Sequence, residues 1–133
     1  MRIQGKSHAH TKSKSNIKKL ITATDYGKVK EVIELFKYKF IYTLDAPLSA
    51  LLVKSLEKIF SSEENQLLLA EHKIVIVPVP LHKKRLAWRG FNQSELIADR
   101  IAKRFTIPIS KSLVRIKNTV PQVELKAEER QKN

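Results

Sequence analysis

The sequence contains no cysteine, only three glycines and one tryptophan, and half as many acidic as basic residues. Without cysteine the chain cannot form disulfide bonds, use a thiolate nucleophile or hold zinc through sulfur ligands. Aromatic residues make up only 7% of the chain, which limits the surfaces on which nucleic-acid bases could stack. No apolar run approaches the length that spans a bilayer. The sequence therefore excludes a disulfide-stabilised scaffold, a thiol enzyme and a membrane-embedded protein.

The charge that is present is strongly basic. Lys and Arg number 26 against 13 Asp and Glu, which gives a net charge of +13. A field of this sign attracts nucleic acid, phosphorylated metabolites or an anionic membrane surface, and charge alone does not choose among them. The hydrophobic fraction of 42% suffices for one core, and the length of 133 residues predicts one domain or part of one.

Residues 1–20 are predicted to form a basic flexible arm, and residues 21–133 a partial domain. The arm has no apolar core of the kind that a signal peptide needs, so a cytoplasmic location is expected. Its histidines, His8 and His10, have no further ligand residues beside them, so an incidental tail is favoured over a metal site. Contact of the arm with nucleic-acid phosphates is the alternative to a solvated tail.

Capping residues and helical spacing predict three helices in the first half of the chain. Asp25 can cap a helix that runs to about Phe40. A second helix is expected after Asp45, with Pro47 in its first turn, where the missing proline N–H does no harm. A short helix is expected over residues 66–71. The apolar faces of these helices are interpreted as core packing.

The second half of the chain alternates strand and helix patterns. The unbroken apolar run at 74–77 is typical of a strand covered on both faces, and a further strand is expected at 113–116. Between them Asn92 can cap a helix, with Glu95 three residues later completing a capping box. This alternation predicts an α/β layer fold rather than a helical bundle.

A cluster of cations separates the first predicted strand from the helix that follows it. In an α/β sheet, ligands bind beyond the carboxyl ends of the strands, and helix N-termini there add N–H donors. The alternative is a solvated basic turn in which Trp88 and Phe91 fill the core. The residues that suit a pyrophosphate are His82, Lys83, Lys84, Arg85, Arg89 and Gly90.

A polar segment after the second predicted strand is the other candidate. Arg115, Thr119, Gln122 and Arg130 suit an anion or a ribose hydroxyl. Polar loops that follow a strand are common functional positions. Taken alone, the segment equally suits a generic polar loop.

Three patterns in the chain resemble the ComF (competence protein F) family of phosphoribosyltransferase-like proteins. The most specific is the block Pro-Val-Pro-Leu-His, Arg, Arg-Gly-Phe-Asn-Gln between Pro78 and Gln93. The resemblance implies a type I phosphoribosyltransferase-like fold, with a Rossmann-like parallel sheet and flanking helices. It also implies a cytoplasmic role near DNA uptake in natural competence. The other matched positions are Tyr26, Gly27, Lys37 and Tyr38, and then Arg115, Thr119, Gln122, Leu125, Arg130 and Asn133.

By this resemblance the segment 81–89 would hold the pyrophosphate of phosphoribosyl pyrophosphate, and residues 117–130 would form a mobile loop. The implied chemistry is displacement of pyrophosphate from the ribose by a nucleophile, with Mg²⁺ on the phosphates. Cations around the leaving group would help where negative charge develops. The implied partners are a phosphorylated sugar substrate, single-stranded DNA or a protein of the competence machinery.

The chain departs from the family pattern in two places. It lacks the cysteine-rich zinc segment, and nowhere do paired aspartates precede Thr-Thr-Gly, the family's ribose-phosphate motif. We therefore expect an incomplete, truncated fold with an exposed strand edge and negligible turnover by this chain alone. The alternatives are a non-catalytic basic module that binds single-stranded DNA or a competence partner, and a fragment without independent function.

Overall fold

The computed structural model of the protein describes residues 20–71 and 73–120. Helices account for 60% of these residues. A 3₁₀ turn at Tyr42–Leu44 connects the first two α-helices. Apart from Leu20, the predicted arm lies outside the described residues. The α-helices of the described part are α1 (Tyr26–Tyr38), α2 (Asp45–Phe60), α3 (Glu63–Ala70), α4 (Lys83–Arg89) and α5 (Gln93–Phe105).

The helices predicted from caps and spacing are confirmed, with α3 in the place of the short third helix. α1 begins directly after Asp25, although the Asp25 side chain makes no capping hydrogen bond. α2 begins at Asp45 and carries Pro47 in its first turn. α5 begins after Asn92, whose side-chain oxygen accepts a hydrogen bond from the Ser94 N–H at 3.0 Å. The Asn92 cap and the position of Pro47 act within one turn of helix, so the local sequence favours a helix start at these two places.

The predicted α/β fold, a type I phosphoribosyltransferase-like parallel sheet, is wrong for the described part of the chain. No strand or sheet forms among these residues. The apolar run predicted as the first strand makes a single parallel bridge, between Ile76 and Ile109, through two backbone hydrogen bonds of 2.9 Å. Val75 and Val77 are 52% and 38% exposed, so the run is not covered on both faces.

The bridge does not extend into a strand because the backbone directly on either side of Ile76 makes no further hydrogen bonds to a neighbouring segment in the described part of the chain. The N–H of Ile76 bonds the carbonyl of Pro108, and its carbonyl accepts from the N–H of Ser110. The second predicted strand, residues 113–116, is irregular, and its side chains Val114 and Ile116 are 79% and 89% exposed. An apolar run shows that a segment favours burial, but a ladder also requires a neighbour of matching length.

The core lies where α1 meets the short segment between α4 and α5 and where α2 packs along α5. Phe36 is 1% exposed and stacks on Phe91, with ring centroids 5.4 Å apart. Phe60 meets Phe105 edge to face at 5.0 Å. Ring pairs of this kind contribute about 0.5–1.5 kcal/mol beyond their burial. The buried hydrophobic residues of the described part are Phe36, Leu48, Ala98 and Ile107.

Ion pairs neutralise the cations along the α2–α5 interface. Arg100 donates two hydrogen bonds to the Asp45 carboxylate, and the Asp45 side chain is only 12% exposed. The hydrogen bond to Asp45 raises the pKa of the Arg100 guanidinium above its ordinary value. Further along, Arg104 pairs with Glu57 at 2.6 Å. The positive charge of α5 is therefore largely balanced on its α2 side.

Candidate functional site

The basic segment expected as a phosphate loop is mostly a helix, α4. His82 is its N-cap, and the His82 Nδ1 accepts a hydrogen bond from the Lys84 N–H at 3.3 Å. The residues that follow are Lys, Lys, Arg, Leu and Ala, all of which have high helix propensity, and Gly90 ends the helix. The expected loop is therefore wrong over 83–89, and its cations lie on a short helix.

Gly90 adopts the left-handed conformation that ends α4, with φ 80° and its N–H bonded to the Leu86 carbonyl at 2.8 Å. A glycine can be required by a positive φ or by the close approach of another backbone or side chain. A Cβ built on Gly90 would meet no atom within 4 Å, so only the positive φ requires glycine.

Replacing Gly90 by alanine should lower the free energy of unfolding by about 1–2 kcal/mol, because a Cβ strains the left-handed conformation. Asparagine tolerates this conformation better, so Gly90→Asn should cost less. Urea denaturation followed by circular dichroism measures both variants. An equal loss in the two would show that backbone strain is not the cause.

Arg85 and Arg115, which belong to the two separate candidate segments, converge on Thr119. The Arg85 Nη2 donates to the Thr119 carbonyl at 2.7 Å, and the Arg115 Nη2 donates to the Thr119 hydroxyl. All three side chains are half-buried. Three predicted site residues thus meet at one place although Arg85 and Thr119 are 34 positions apart. We refer to Arg85 and Arg115 as the arginine pair.

Arg89, the last residue of α4, is buried and only 7% exposed. Its Nη1 donates to the side-chain oxygen of Gln93, and its guanidinium carbon lies 5.7 Å from the Tyr38 ring centroid and 6.0 Å from that of Trp88. Its Nε is buried without a hydrogen-bond partner. The aromatic rings offset part of the cost of burying the charge, but an unpaired donor still costs about 1–3 kcal/mol.

The surroundings of Arg89 concentrate positive charge. Burial lowers the pKa of Arg89; the Tyr38 group opposes this effect and the charge of Arg85 adds to it. Burial also lowers the pKa of Lys37, and the charge of Arg89 lowers it further. Arg89 is therefore repelled by the positive charge of Arg85 and itself repels Lys37. An anion bound among them would relieve this repulsion and raise both pKa values.

Carboxylates do not balance this charge within the part of the chain that the structure describes. There, the ion pairs join acidic residues to other cations: Lys28, Lys30, Lys73, Arg100, Arg104 and Lys111. The cations left without a carboxylate include Lys37, Arg89 and the arginine pair. Cations that lie together without a carboxylate favour an anionic ligand.

An open hollow of about 440 Å³ adjoins Arg89. Among its lining side chains only those of Arg89 and Tyr42 carry a polar group. Phe40 has a φ of 58°, which is costly for a bulky residue, and its ring packs edge to face on Trp88 at 5.0 Å. The hollow, called the aromatic hollow below, is lined by Phe40, Tyr42, Arg89, Gly90, Phe91 and Leu96.

The other predicted site residues are not brought into this arrangement. His82 serves as a helix cap, while Lys83 and Lys84 are exposed. Gln122 and Arg130 lie outside the described residues.

In the alternative interpretation of the basic segment Trp88 and Phe91 both fill the core, and of the two only Phe91 packs there. Trp88 is 58% exposed, whereas Phe91 stacks on Phe36. Sequence reasoning assigned no site role to Lys37, Phe40 or Tyr42. The Lys37-Tyr38 pair is part of the ComF resemblance, and that match was the one signal that could have drawn attention to this end of α1.

No group of three or more His, Asp or Glu side chains that could hold a metal ion occurs in the described ranges. The site residues are cations, so they fit the phosphate oxygens of a magnesium phosphate complex and not the Mg²⁺ itself. His8 and His10 lie outside the described residues. Within those ranges, too, each helix is too short or too polar to cross a membrane.

Comparison with known proteins identifies one curated relative, Competence protein F of Haemophilus influenzae (strain ATCC 51907 / DSM 11121 / KW20 / Rd). The two sequences are 32% identical over 103 residues, which is 77% of this chain and 43% of the relative. The chain thus spans less than half the length of that protein. No family model and no solved structure matches the chain. The resemblance drawn from the sequence patterns is confirmed, and the chain is a partial and distant relative within the ComF family.

Proposed function

We propose that the protein binds the phosphate groups of its ligand at the arginine pair and acts in DNA uptake during natural competence, in the cytoplasm. One observation carries the binding proposal: Arg85 and Arg115 converge on Thr119, and no described carboxylate pairs with either. The link to competence rests on the relative, which is named Competence protein F.

The chemistry of the arginine pair suits phosphate oxygens. Each guanidinium has five N–H donors, and the contact with Thr119 engages one terminal nitrogen of each. The remaining donors of Arg85 and Arg115 can take two or more oxygens, and arginine binds phosphate in a two-point geometry that lysine cannot match. Because both side chains are half-buried, water screens these interactions less than at an open surface.

Phosphoribosyl pyrophosphate with Mg²⁺ is the specific ligand suggested by the ComF family. In this assignment Arg85 contacts the pyrophosphate, and Arg115 and Thr119 approach from the following segment. Bound Mg²⁺ would neutralise part of the negative charge of the phosphates. The residues of this chain would bind and orient the phosphates, and Lys37 and Arg89 would add long-range attraction. Binding, rather than turnover, is the function that these cations support.

Isothermal titration of the protein with pyrophosphate, inorganic phosphate and phosphoribosyl pyrophosphate, each with and without Mg²⁺, tests the proposal. We expect pyrophosphate to bind more tightly than phosphate, because it reaches both arginines, and the affinity to fall as salt rises. Lys103→Ala, which removes an exposed cation on α5, is the control and should leave the affinity within about twofold. A dissociation constant above about 10 mM for every ligand would overturn the proposal.

A second candidate, binding of single-stranded DNA, is favoured by the exposure of the aromatic residues. The scarcity of aromatic residues argued against stacking, yet five of the nine are exposed, by 38–65%. Exposed rings beside cations suit bases and phosphates together. These five residues are Tyr26, Tyr38, Phe40, Tyr42 and Trp88.

Fluorescence anisotropy with a labelled oligothymidylate separates the two candidates. DNA binding through stacking should fall about tenfold or more in Trp88→Ala, and its dependence on salt should be steep. Displacement of the oligonucleotide by pyrophosphate would show that both ligands use the arginine pair. DNA binding that Trp88→Ala and added salt leave unchanged would exclude the second candidate.

A further inference from the structure

The aromatic hollow and Arg89 form an arrangement that phosphate binding at the arginine pair does not explain. The hollow presents an apolar surface of Phe40, Phe91 and Leu96 next to one buried cation. That cation has no carboxylate partner in the described chain, and its Nε has no hydrogen-bond partner. A buried, incompletely bonded cation beside an apolar hollow calls for a ligand with the complementary features.

We propose that the aromatic hollow binds the C-terminus of a partner protein, namely an acidic tail that ends in an aromatic or large aliphatic residue. The terminal side chain enters the hollow between Phe40 and Leu96. The terminal α-carboxylate pairs with Arg89, and acidic residues upstream lie against Lys37 and Arg85.

The short distance between the carboxylate and the side chain of a C-terminal residue fits the placement of Arg89 beside the aromatic hollow. In a C-terminal residue the carboxylate and the side chain are attached to the same Cα, so an anion and an apolar group are only a few ångströms apart. Arg89 is itself part of the lining of the hollow, so cation and apolar surface are equally close in the protein. A planar carboxylate also matches the two-point geometry of a guanidinium.

The polarity of the hollow favours an apolar side chain over a nucleic-acid base. A base carries donors and acceptors around its edge, and those groups lose free energy when they enter a site without partners. The lining offers only the Arg89 guanidinium and the Tyr42 hydroxyl as polar side-chain groups. A phenyl or branched aliphatic group requires none, and a volume of about 440 Å³ holds it comfortably.

The charges around the hollow complement an acidic segment. The positive charge of Arg85 acts on Arg89, which lines the hollow, and the charge of Arg89 acts on Lys37. The chain as a whole carries a net charge of +13. Acidic residues upstream of the terminus would therefore speed association and add affinity that salt reduces.

Anisotropy titration with a labelled acidic peptide of Asp and Gly that ends in Phe tests the proposal on the intact chain. The matched ligands are the same peptide with a C-terminal amide and the same peptide ending in Ala. Loss of the carboxylate or of the ring should each weaken binding at least about tenfold. An amidated peptide that binds within about twofold of the free acid would overturn the assignment of Arg89.

Phe40→Gly is the protein variant that removes a wall of the hollow with little risk to folding. Phe40 has positive φ and is 38% exposed, so glycine relieves backbone strain while the ring is lost. We expect it to weaken peptide binding about tenfold and to leave pyrophosphate binding unchanged, which separates this proposal from the one above. Peptide binding by Phe40→Gly at wild-type strength would contradict the proposal.

Two further outcomes would assign the hollow to another occupant. Displacement of the peptide by a nucleoside monophosphate, combined with weaker nucleotide binding in Phe40→Gly, would show that the hollow holds a base. Self-association in sedimentation experiments that Phe40→Gly abolishes would show that it holds a second copy of this chain. Either result would overturn the peptide proposal.

Discussion

Replacing Arg85 and Arg115 together by alanine should weaken pyrophosphate binding at least about 100-fold. Hydrogen bonds to a charged group are worth about 1.5–3 kcal/mol each, and the double variant removes the phosphate donors of both arginines. Each single variant should cost about tenfold or more. Isothermal titration at one fixed salt concentration measures all three variants, because salt changes the contribution of every charge.

The control for this double variant removes the same amount of charge elsewhere. Lys54 and Lys103 are exposed and have no carboxylate partner in the described part of the chain, so Lys54→Ala/Lys103→Ala lowers the net charge by the same two units. If the control weakens pyrophosphate binding as much as the arginine variant, the overall field rather than the arginine pair attracts the ligand. A double-mutant cycle adds a second criterion, since residues that share one ligand are expected to be coupled by about 0.5 kcal/mol or more.

Replacing Phe36 by alanine should lower the free energy of unfolding by about 3–5 kcal/mol. Phe36 has the lowest exposure among the buried hydrophobic residues, 1%, and it stacks on Phe91. The variant loses the burial of a large ring and leaves a cavity that neighbouring side chains fill only in part. Since the described core has few buried hydrophobic residues, this loss is a large fraction of the stability of a small domain.

Urea denaturation of Phe36→Ala, with Leu67→Ala as control, measures this effect. Leu67 lies on α3 and is 61% exposed, so its truncation should change the free energy of unfolding by no more than about 0.5 kcal/mol. Similar losses in the two variants would mean that the contact between α1 and the segment joining α4 to α5 does not form the core. That result would also remove the support for Lys37, which follows Phe36 on α1.

Local signals explain what could be predicted from the sequence. The cap at Asn92 and the proline in the first turn of α2 act through the next few residues of the backbone. The ComF patterns were likewise readable from the order of residues alone, and the competence relative confirms them. The helix at 83–89 was not predicted, because the residue before it, His82, is not one of the common helix N-caps and the segment was interpreted as a phosphate loop.

The strand predictions at 74–77 and 113–116 failed because they depended on partners that sequence patterns do not reveal. An apolar run indicates that a segment tends to be buried. Whether it forms a strand depends on an adjacent backbone segment with which it can exchange hydrogen bonds. In this structure Ile76 meets only residues 108–110, so one bridge forms, and the second run meets no strand in the described part.

By itself, the sequence determined the positive charge, the starts of the main helices, the family and the residue types that suit phosphate. Each of these depends on composition or on contacts within a few positions. Only the tertiary structure decided that Arg85 and Arg115 share Thr119, that Lys37 lies near Arg89, and that Arg89 is buried beside an apolar hollow. Phe36 on α1 stacks on Phe91, which follows α4, and this contact brings the end of α1 close to the end of α4. Contacts between segments that are distant along the chain leave no local trace in the sequence.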